Sequence, residues 1–402
     1  MTRLRALDEI VASGLCAGCG LCAAVVPAIE MRTTDRGFSR PVAERLSEGD
    51  LARVVALCPG VGLDGPAADG HVDPVWGPVR VLRRGWATDP AIRFAGASGG
   101  VVTALCAHLL ATGAVDAVLQ VGADPPAPLR TGPRLSTSVG ELIDRAGSRY
   151  APSPVLAGLP EALDRYERIA VVGKPCDIAA LRGHVRREPS LAGRIPWMLS
   201  FFCAGVPSIA GTEILVRRLG LDPAALTRLR YRGRGWPGRM TAEAADGRSA
   251  STSYAESWGG ELHRHLQFRC KICPDGTGEH ADVVAADAWL TRDGYPDFEE
   301  RDGISAVLAR TERGAALLRE AVAAGAIELA PLDVSELMAM QPYQVRRKRV
   351  LVGRLAAMLL LGRRVPRYRR LRLWRNALRG GRALVRDFAG TGLRVLQGRH
   401  RE

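Results

Sequence analysis

This chain of 402 residues has little lysine, few aromatic rings and no long apolar run, and each shortage excludes something. Lys174, Lys271 and Lys348 are the three lysines among 56 basic residues, so the positive charge is arginine charge. Aromatic residues make up 5% of a chain rich in alanine and glycine, a composition that reads as the imprint of a GC-rich genome rather than of a function. No run reaches the roughly 18–20 apolar residues that cross a bilayer. The longest late stretch, Leu355 to Leu361, makes about two helical turns. The start of the chain lacks the continuous apolar core of an export signal. Nine cysteines without such a signal are expected to be metal ligands in a reducing, cytoplasmic compartment rather than disulfides.

The net charge of +14 is unevenly spread. Residues 346–402 hold 18 Arg and Lys against two acids, Asp387 and Glu402, a balance of +16, which leaves −2 for the other 345 residues. The body is near neutral, so nucleic acid is not an expected partner. The tail has three readings: a solvated basic helix, a patch for a partner, or an amphipathic helix on an anionic membrane surface. In the membrane reading Leu359, Leu360, Leu371, Leu373 and Trp374 interleave with Arg369, Arg370, Arg372 and Arg375, and the protein lies on the inner face of the membrane.

Cys16, Cys19 and Cys22 form C-x2-C-x2-C, the run that grips a 4Fe-4S cube. In a two-cluster bacterial ferredoxin the next cysteine, just before a proline, serves the other cluster. That position here is Val26, followed by Pro27, while Cys58-Pro59 lies downstream to complete the first set. The pattern is half of a two-cluster ferredoxin, with Cys16, Cys19, Cys22 and Cys58 as ligands of one cube. Of the other five cysteines, Cys106 falls inside an apolar helical pattern and reads as core. Cys176 and Cys203 end expected strands, and Cys270 and Cys273 form a further C-x2-C. Those four suit a second cube, but spacing alone also allows a zinc site, a redox pair or packing.

The expected fold class is α/β (α+β). A small ferredoxin-like unit spans 1–62, a Gly/Pro/Asp-rich linker 63–78, a mixed-sheet flavin-binding body 79–342 and a basic helical tail 343–402. In the body, strands are expected at Val115–Val121, Ile169–Val172, Ile195–Phe202 and Ile304–Leu308. Helices are expected at Ser98–Gly113, Asp177–His184 and Thr311–Ala324, and Pro366, Gly380-Gly381 and Gly390 should punctuate the tail. Three stretches could hold a flavin: Ala97-Ser98-Gly99-Gly100 before a helix, the Ser148–Ser153 loop, and Gly173-Lys174-Pro175 after a strand. A Rossmann nicotinamide site is not expected.

Read together, these segments resemble the coenzyme F-420 hydrogenase/dehydrogenase beta-subunit family. CAGCGLCAAVVP, CPG at 58–60, GASGGVVTALCAHLLATGAVDAVL, GSRYAPS, VVGKPCDIAALR, FFCAG and CKICPDGTGEHADVVAADAW carry the resemblance, over roughly residues 14 to 310. The resemblance implies FAD and 4Fe-4S clusters, with Cys176, Cys203, Cys270 and Cys273 holding the second. It assigns Ser98, Gly99, Gly100, Thr103, Ser148, Tyr150, Ser153 and Lys174 to the flavin. Asp282 and Asp287 match acidic positions of the family. Lys174 stands where the family usually has threonine and Ala286 where glycine is usual, so a cation is expected beside the flavin.

The expected function is a flavin- and iron–sulfur-dependent oxidoreductase. It relays electrons between a carrier, coenzyme F-420 or ferredoxin, and a substrate, in polysaccharide or lipid-linked biosynthesis. The alternative is a non-catalytic electron-transfer beta subunit of a larger hydrogenase or dehydrogenase complex. His184, His263, His265 and His280 are candidate proton donors, and none is singled out as catalytic.

Overall fold

A computed structural model describes residues 7–67, 70–292 and 295–400. Its centre is an eight-stranded mixed sheet. In chain order the strands are β1 (Val81–Ala87), β2 (Ala117–Asp124), β3 (Ala127–Ser136), β4 (Ile169–Gly173), β5 (Trp197–Phe201), β6 (Val283–Asp287), β7 (Ser305–Ala309) and β8 (Ile327–Pro331). Their order across the sheet is β8-β1-β7-β6-β5-β4-β2-β3. The middle strands β2, β4, β5 and β6 are parallel, with Met198 opposite Val171 and Leu199 opposite Val283. The flanking pairs are antiparallel.

Parallel strands are covered on both faces, which is why IAVVG, WMLSF and VVAAD read as near-continuous apolar runs. Alternate residues then divide between two cores. Leu119, Val171, Met198 and Val284 face one core with Ile178, Leu181, Leu21 and Val54. Val118, Ala170, Leu199 and Val283 face the other with Leu105, Leu109, Leu317 and Leu318. The helices supplying those residues include α1 (Val101–Ala111), α2 (Pro175–Arg187) and α3 (Glu312–Ala323). Thr311 caps α3 by accepting from the Gly314 N–H. A three-stranded antiparallel meander, Leu226–Arg230, Met240–Ala244 and Ser249–Thr252, stands beside the main sheet.

The stretch read as a linker, 63–78, carries short strands at Gly62–Asp64, Val72–Asp73 and Gly77–Pro78. It buries Trp76 completely, stacked on Phe202 with ring centroids 5.7 Å apart. The tail is built from α4 (Pro342–Leu360), a strand Arg367–Arg369, a short helix Leu373–Ala377 and α5 (Gly381–Leu396). Pro366 and Gly380 fall between these elements, but α5 runs through Gly390 unbroken.

The tail folds back onto the rest of the chain. Arg367–Arg369 pairs with Gly62–Asp64, and Arg364 pairs with Glu9. Leu371 and Val395 share one core with Ile10, Leu15, Cys16, Phe268 and Ile272. Leu371 and Leu373, expected on a membrane face, are thus buried, whereas Leu359, Leu360 and Trp374 are exposed. Among the described residues no helix is long and apolar enough to cross a membrane.

Candidate functional site

The first four thiols come from a turn leading into the short helix Leu21–Val25, which carries Cys22, and from the end of the helix Glu48–Leu57. Gly18 and Gly20 sit in the left-handed region (φ 66° and 85°), winding the chain from Cys16 to Cys22 around a tight turn. Cys58 ends the helix Glu48–Leu57, and its carbonyl accepts from Val61 and Gly62. Cys16, Cys19, Cys22 and Cys58 line one small cavity of about 30 Å³, closed by apolar side chains including Ile10, Leu21, Val54 and Leu57. The Gly18 N–H points to Cys16 Sγ at 3.4 Å. Burial pushes the Cys22 thiol up to about 12 and Cys58 up to about 11, with Cys16 raising both further. Cys19 is raised by burial, then by Asp177, Cys22 and Cys58. Val26, at the lost ferredoxin position, is a core residue.

The second four thiols meet where β5 and α2 approach the loop around 270. Lys174 is the N-cap of α2, which puts Cys176 in its first turn. Cys203 follows β5, and Cys270 and Cys273 flank the end of a short helix, Phe268–Lys271. Val206 N–H and Gln267 Nε2 each donate to Cys270 Sγ at 3.3 Å. Burial raises Cys203 to about 12, with Cys270 and Cys273 adding to it and Arg347 opposing. Cys176 is raised by burial and by Asp177, Cys203 and Cys273. Arg269, Arg347 and Lys348 are buried here too. Burial alone would lower Arg269, but Tyr368 and the thiols of Cys273, Cys176 and Cys270 carry it above its ordinary value. Arg269 Nη2 also donates to the Pro59 carbonyl at 2.9 Å, tying the second set to the Cys-Pro turn of the first. Among the described residues no three His, Cys, Asp or Glu side chains are drawn close enough to hold a single metal ion. Cys106 is buried in α1 and raised to about 12 by burial alone.

A cavity of about 730 Å³ opens at the carboxyl ends of β2, β4, β5 and β6, the usual ligand edge of an α/β sheet. Ser98, Gly100, Thr103, Ser148, Tyr150, Ser153 and Lys174 are on its wall. Gly99 stands behind the wall. Its N–H donates to Ser305 Oγ at 3.0 Å, and a Cβ there would come within 2.5 Å of the Gly85 carbonyl oxygen. Ser98 Oγ also meets Ser305 Oγ, at 2.8 Å. Ser153 Oγ turns inward to the Ala151 carbonyl.

Lys174 is a neutralised cation. Its Nζ donates to Asp177 Oδ2 and to the Ser153 carbonyl, both at 2.8 Å. Burial pulls the ammonium down, but Asp177 and Cys176 hold it above its ordinary value. Asp177 is raised by burial and pulled back by Lys174. Cys203 of the second thiol set lines the cavity, as does Lys174, which neighbours Cys176 and Cys203, so the two sites share a wall.

Sequence reasoning missed the aromatic end of this cavity, whose residues are scattered along the chain. Tyr254, Trp258, Trp289 and Phe298 line it, with a π-helical turn over Ala255–Glu261. Arg232 lies over Tyr254 and Trp289 at 4.6 and 5.3 Å. It is held by both oxygens of Asp287, at 2.8 and 2.9 Å. Asp282 instead has a structural role, accepting from Arg182, the Met198 N–H and Thr311.

Of the four candidate histidines, His263 lines the cavity. His184 and His280 are buried elsewhere, and His265 binds Glu261 at 2.6 Å. Four cations, Arg264, Lys271, Arg354 and Arg394, also line the cavity. Two stretches spelled G-x-G-x-x-G, Gly60–Gly65 and Gly233–Gly238, escaped the sequence reading. Neither opens a helix, so neither is a dinucleotide turn.

Two family profiles, both described as belonging to the coenzyme F420 hydrogenase/dehydrogenase beta subunit, match the chain. The amino-terminal profile covers residues 83–160 and the carboxy-terminal profile residues 166–335. The chain is 28% identical to the coenzyme F420 hydrogenase subunit beta of Methanococcus voltae over 255 residues, 61% of this chain and 82% of that one. It is 30% identical to a subunit of the F(420)H(2) dehydrogenase of Methanosarcina mazei over 323 residues, 77% of this chain and 82% of that one. Its fold is similar to a chain of the F420-reducing [NiFe] hydrogenase complex from Methanosarcina barkeri, with a TM-score of 0.52 and 22% identity, over 70% of this chain and 96% of that one. The chain belongs to the coenzyme F420 hydrogenase/dehydrogenase beta-subunit family, which carries an oxidoreductase and electron-transfer role.

Proposed function

We propose that this chain is the flavin- and cluster-bearing electron-transfer subunit of a larger redox assembly linked to coenzyme F-420 or ferredoxin. The observation that carries the reading is the shared wall: Cys203 and Lys174 border the large cavity and the second thiol set together. Named relatives that are subunits of hydrogenases and dehydrogenases support the assembly.

The residues present fit the groups this reading needs. Eight thiols in two sets are the donor type for 4Fe-4S cubes, and N–H groups directed at Cys16 and Cys270 are the bonds that tune such sulfurs. Cys16, Cys19, Cys22 and Cys58 would hold one cube, and Cys176, Cys203, Cys270 and Cys273 the other. The cavity volume is that of a cofactor site, and the Ser98–Thr103 turn, Ser148, Tyr150, Ser153 and Lys174 would hold FAD. When bound, the flavin supplies two-electron exchange with the carrier and the cubes supply one-electron transfer.

The chain's own residues provide the setting. Arg269 and Arg347 offset the thiolate charge that burial would otherwise disfavour, whereas at Cys176 Asp177 outweighs Lys174. Trp76 and Phe202 keep water from one flank of β5. His263, whose Nδ1 meets the Trp258 carbonyl at 3.1 Å, lines the cavity.

A second reading, a reductase with its own substrate, is favoured by the aromatic and basic residues that line the cavity. In it the tail rests on an anionic membrane surface, supported by the exposure of Leu359, Leu360, Trp374, Leu378, Val385, Leu393 and Leu396 among arginines.

Anaerobic purification followed by iron, sulfide and flavin assay tests the first reading. About eight irons and one FAD per chain are expected, and Cys203→Ser should lose about half the iron while keeping flavin. Protein with no flavin sinks the reading, as does wild-type iron content in the variant.

A further inference from the structure

A second cavity, of about 430 Å³, lies in the tail. It forms where the helix Val334–Met340, α4 and the start of α5 meet. Every residue on its wall falls between 338 and 383, beyond residue 335, where the family match ends. The cavity is therefore a feature of this chain's tail and not of the matched region. Its size is that of a small-molecule site.

Along α4, Pro342, Val345, Arg346, Arg349 and Val350 recur every three to four residues, which puts them on one face of the helix. That face fronts the cavity. Gly380, on the other side, permits a close approach: a Cβ there would stand 2.9 Å from the Arg349 carbonyl oxygen. The resulting wall is of two kinds. Met338, Val345 and Val350 make part of it apolar, and Arg346, Arg349 and Arg379 give it three positive charges. Among the described residues no carboxylate lies on it. Arg346 has Asp387, which Arg354 shares. Arg349 and Arg379 have no ion pair or side-chain hydrogen bond among the described residues, and Arg349 Nε is shut off from solvent without an acceptor.

Such a wall suits a ligand of matching make-up. A bare anion would leave the apolar part unused, and an apolar ligand would leave the guanidiniums without oxygens. Two guanidiniums with free forks match the several oxygens of one phosphate group. Leu378, directly before Arg379 in the chain, is 89% exposed, so apolar surface continues past the arginine. We propose that this cavity binds the phosphate end of an anionic amphiphile, a phosphate ester joined to an apolar chain. Arg349 and Arg379 hold the phosphate oxygens, and the apolar wall takes the start of the chain. The proposal goes beyond the redox reading and does not rest on it. Leu393 and Leu396, which serve the membrane reading, are not on this wall.

The test is calorimetric titration of the full-length, anaerobically purified chain with dihexanoyl phosphatidic acid, kept below the concentration at which it forms micelles. Inorganic phosphate and dihexanoyl phosphatidylcholine are titrated separately. Phosphatidic acid is expected to bind, with an affinity that falls as salt rises. Inorganic phosphate should bind about tenfold more weakly for want of apolar contact, and phosphatidylcholine, whose own cation meets the arginines, should not bind. Arg379→Gln should weaken the binding of phosphatidic acid by about tenfold, and Arg349→Gln with Arg379→Gln by more. Arg375→Gln, which changes an exposed arginine off the wall, should leave it unchanged. No binding of phosphatidic acid to the wild type overturns the proposal, as does equal binding of phosphatidylcholine. So does binding that Arg379→Gln leaves unchanged in a chain of wild-type melting temperature, or a loss that Arg375→Gln matches. Inorganic phosphate binding as tightly as phosphatidic acid would overturn the amphiphile and leave a plain phosphate site. Iron and flavin are assayed in the same samples. Their absence from a wild type that binds phosphatidic acid would overturn the redox reading alone.

Discussion

At the scale of single residues, the buried charges of this protein are locked into specific partners. Glu279 is fully buried between Lys348 and Arg372. Burial would raise its carboxyl, but the two cations bring it down to about 2 from an ordinary 4.5. The folded chain thus binds this proton less readily than the unfolded chain does. Its stabilisation is whole above about pH 4.5 and is lost as pH falls toward 2. At about 1.4 kcal/mol per unit, the pair of contacts contributes about 3 kcal/mol at neutral pH. Glu279→Gln strands Lys348 and Arg372 in the interior and is expected to cost about 3–5 kcal/mol. Urea unfolding at pH 7 and pH 3.5 checks both statements. The loss of stability between the two pH values should be smaller in the variant, and an equal loss contradicts the assignment.

Among elements, the central strands were legible because burial on both faces leaves unbroken apolar runs between glycines and prolines. α2 was legible too, but it begins at Pro175, two residues before the expected Asp177, because proline is favoured in a first helical turn. The meander at 226–252 was not legible: its strands are short, its outward positions carry Arg, Thr and Ser, and its inward ones mix Leu226, Leu229 and Met240 with Ala242 and Ala244. Cys16, Cys19, Cys22 and Cys58 could be grouped from their spacing, and they line one small cavity; the spacing of Cys176, Cys203, Cys270 and Cys273 left their grouping open. The aromatic end could not, since Tyr254, Trp289 and Arg232 acquire meaning only when the π-helical turn and β6 bring them together. The turn before α1 illustrates what a short motif can specify. Gly100 has φ 72°, and a Cβ there would stand 2.8 Å from the Ile92 carbonyl oxygen. Gly100→Ala is expected to cost about 1–3 kcal/mol and to reduce bound flavin at fixed FAD concentration. Full flavin retention at unchanged stability would remove Gly100 from the site.

For the whole molecule, the tail is the feature that the charge count announced and the fold reinterpreted. It closes a core with the first helix, supplies Arg347 and Lys348 beside the second thiol set, and still leaves an outer stripe of Val385, Leu393 and Leu396 on α5. Removing it would expose that core, so the membrane reading is best tested with outward-facing substitutions. Wild-type chain is expected to float with vesicles containing anionic phosphatidylglycerol and not with phosphatidylcholine alone. Leu393→Glu with Leu396→Glu should cut the floated fraction by about tenfold through lost apolar insertion and added negative charge. Equal flotation of both proteins contradicts membrane docking through this stripe.

The bond from Arg269 to the Pro59 carbonyl spans 210 residues of sequence. The pocket of the first four thiols shares Ile10 and Cys16 with a core that Leu371 and Val395 complete. A chain emerging from the ribosome would present Cys16, Cys19, Cys22 and Cys58 long before the residues that enclose them exist. On the proposed cluster reading, loading of the amino-terminal set belongs after synthesis, on a chain whose α5 has already docked, and a nascent chain stalled short of α5 would carry an open, oxidisable pocket.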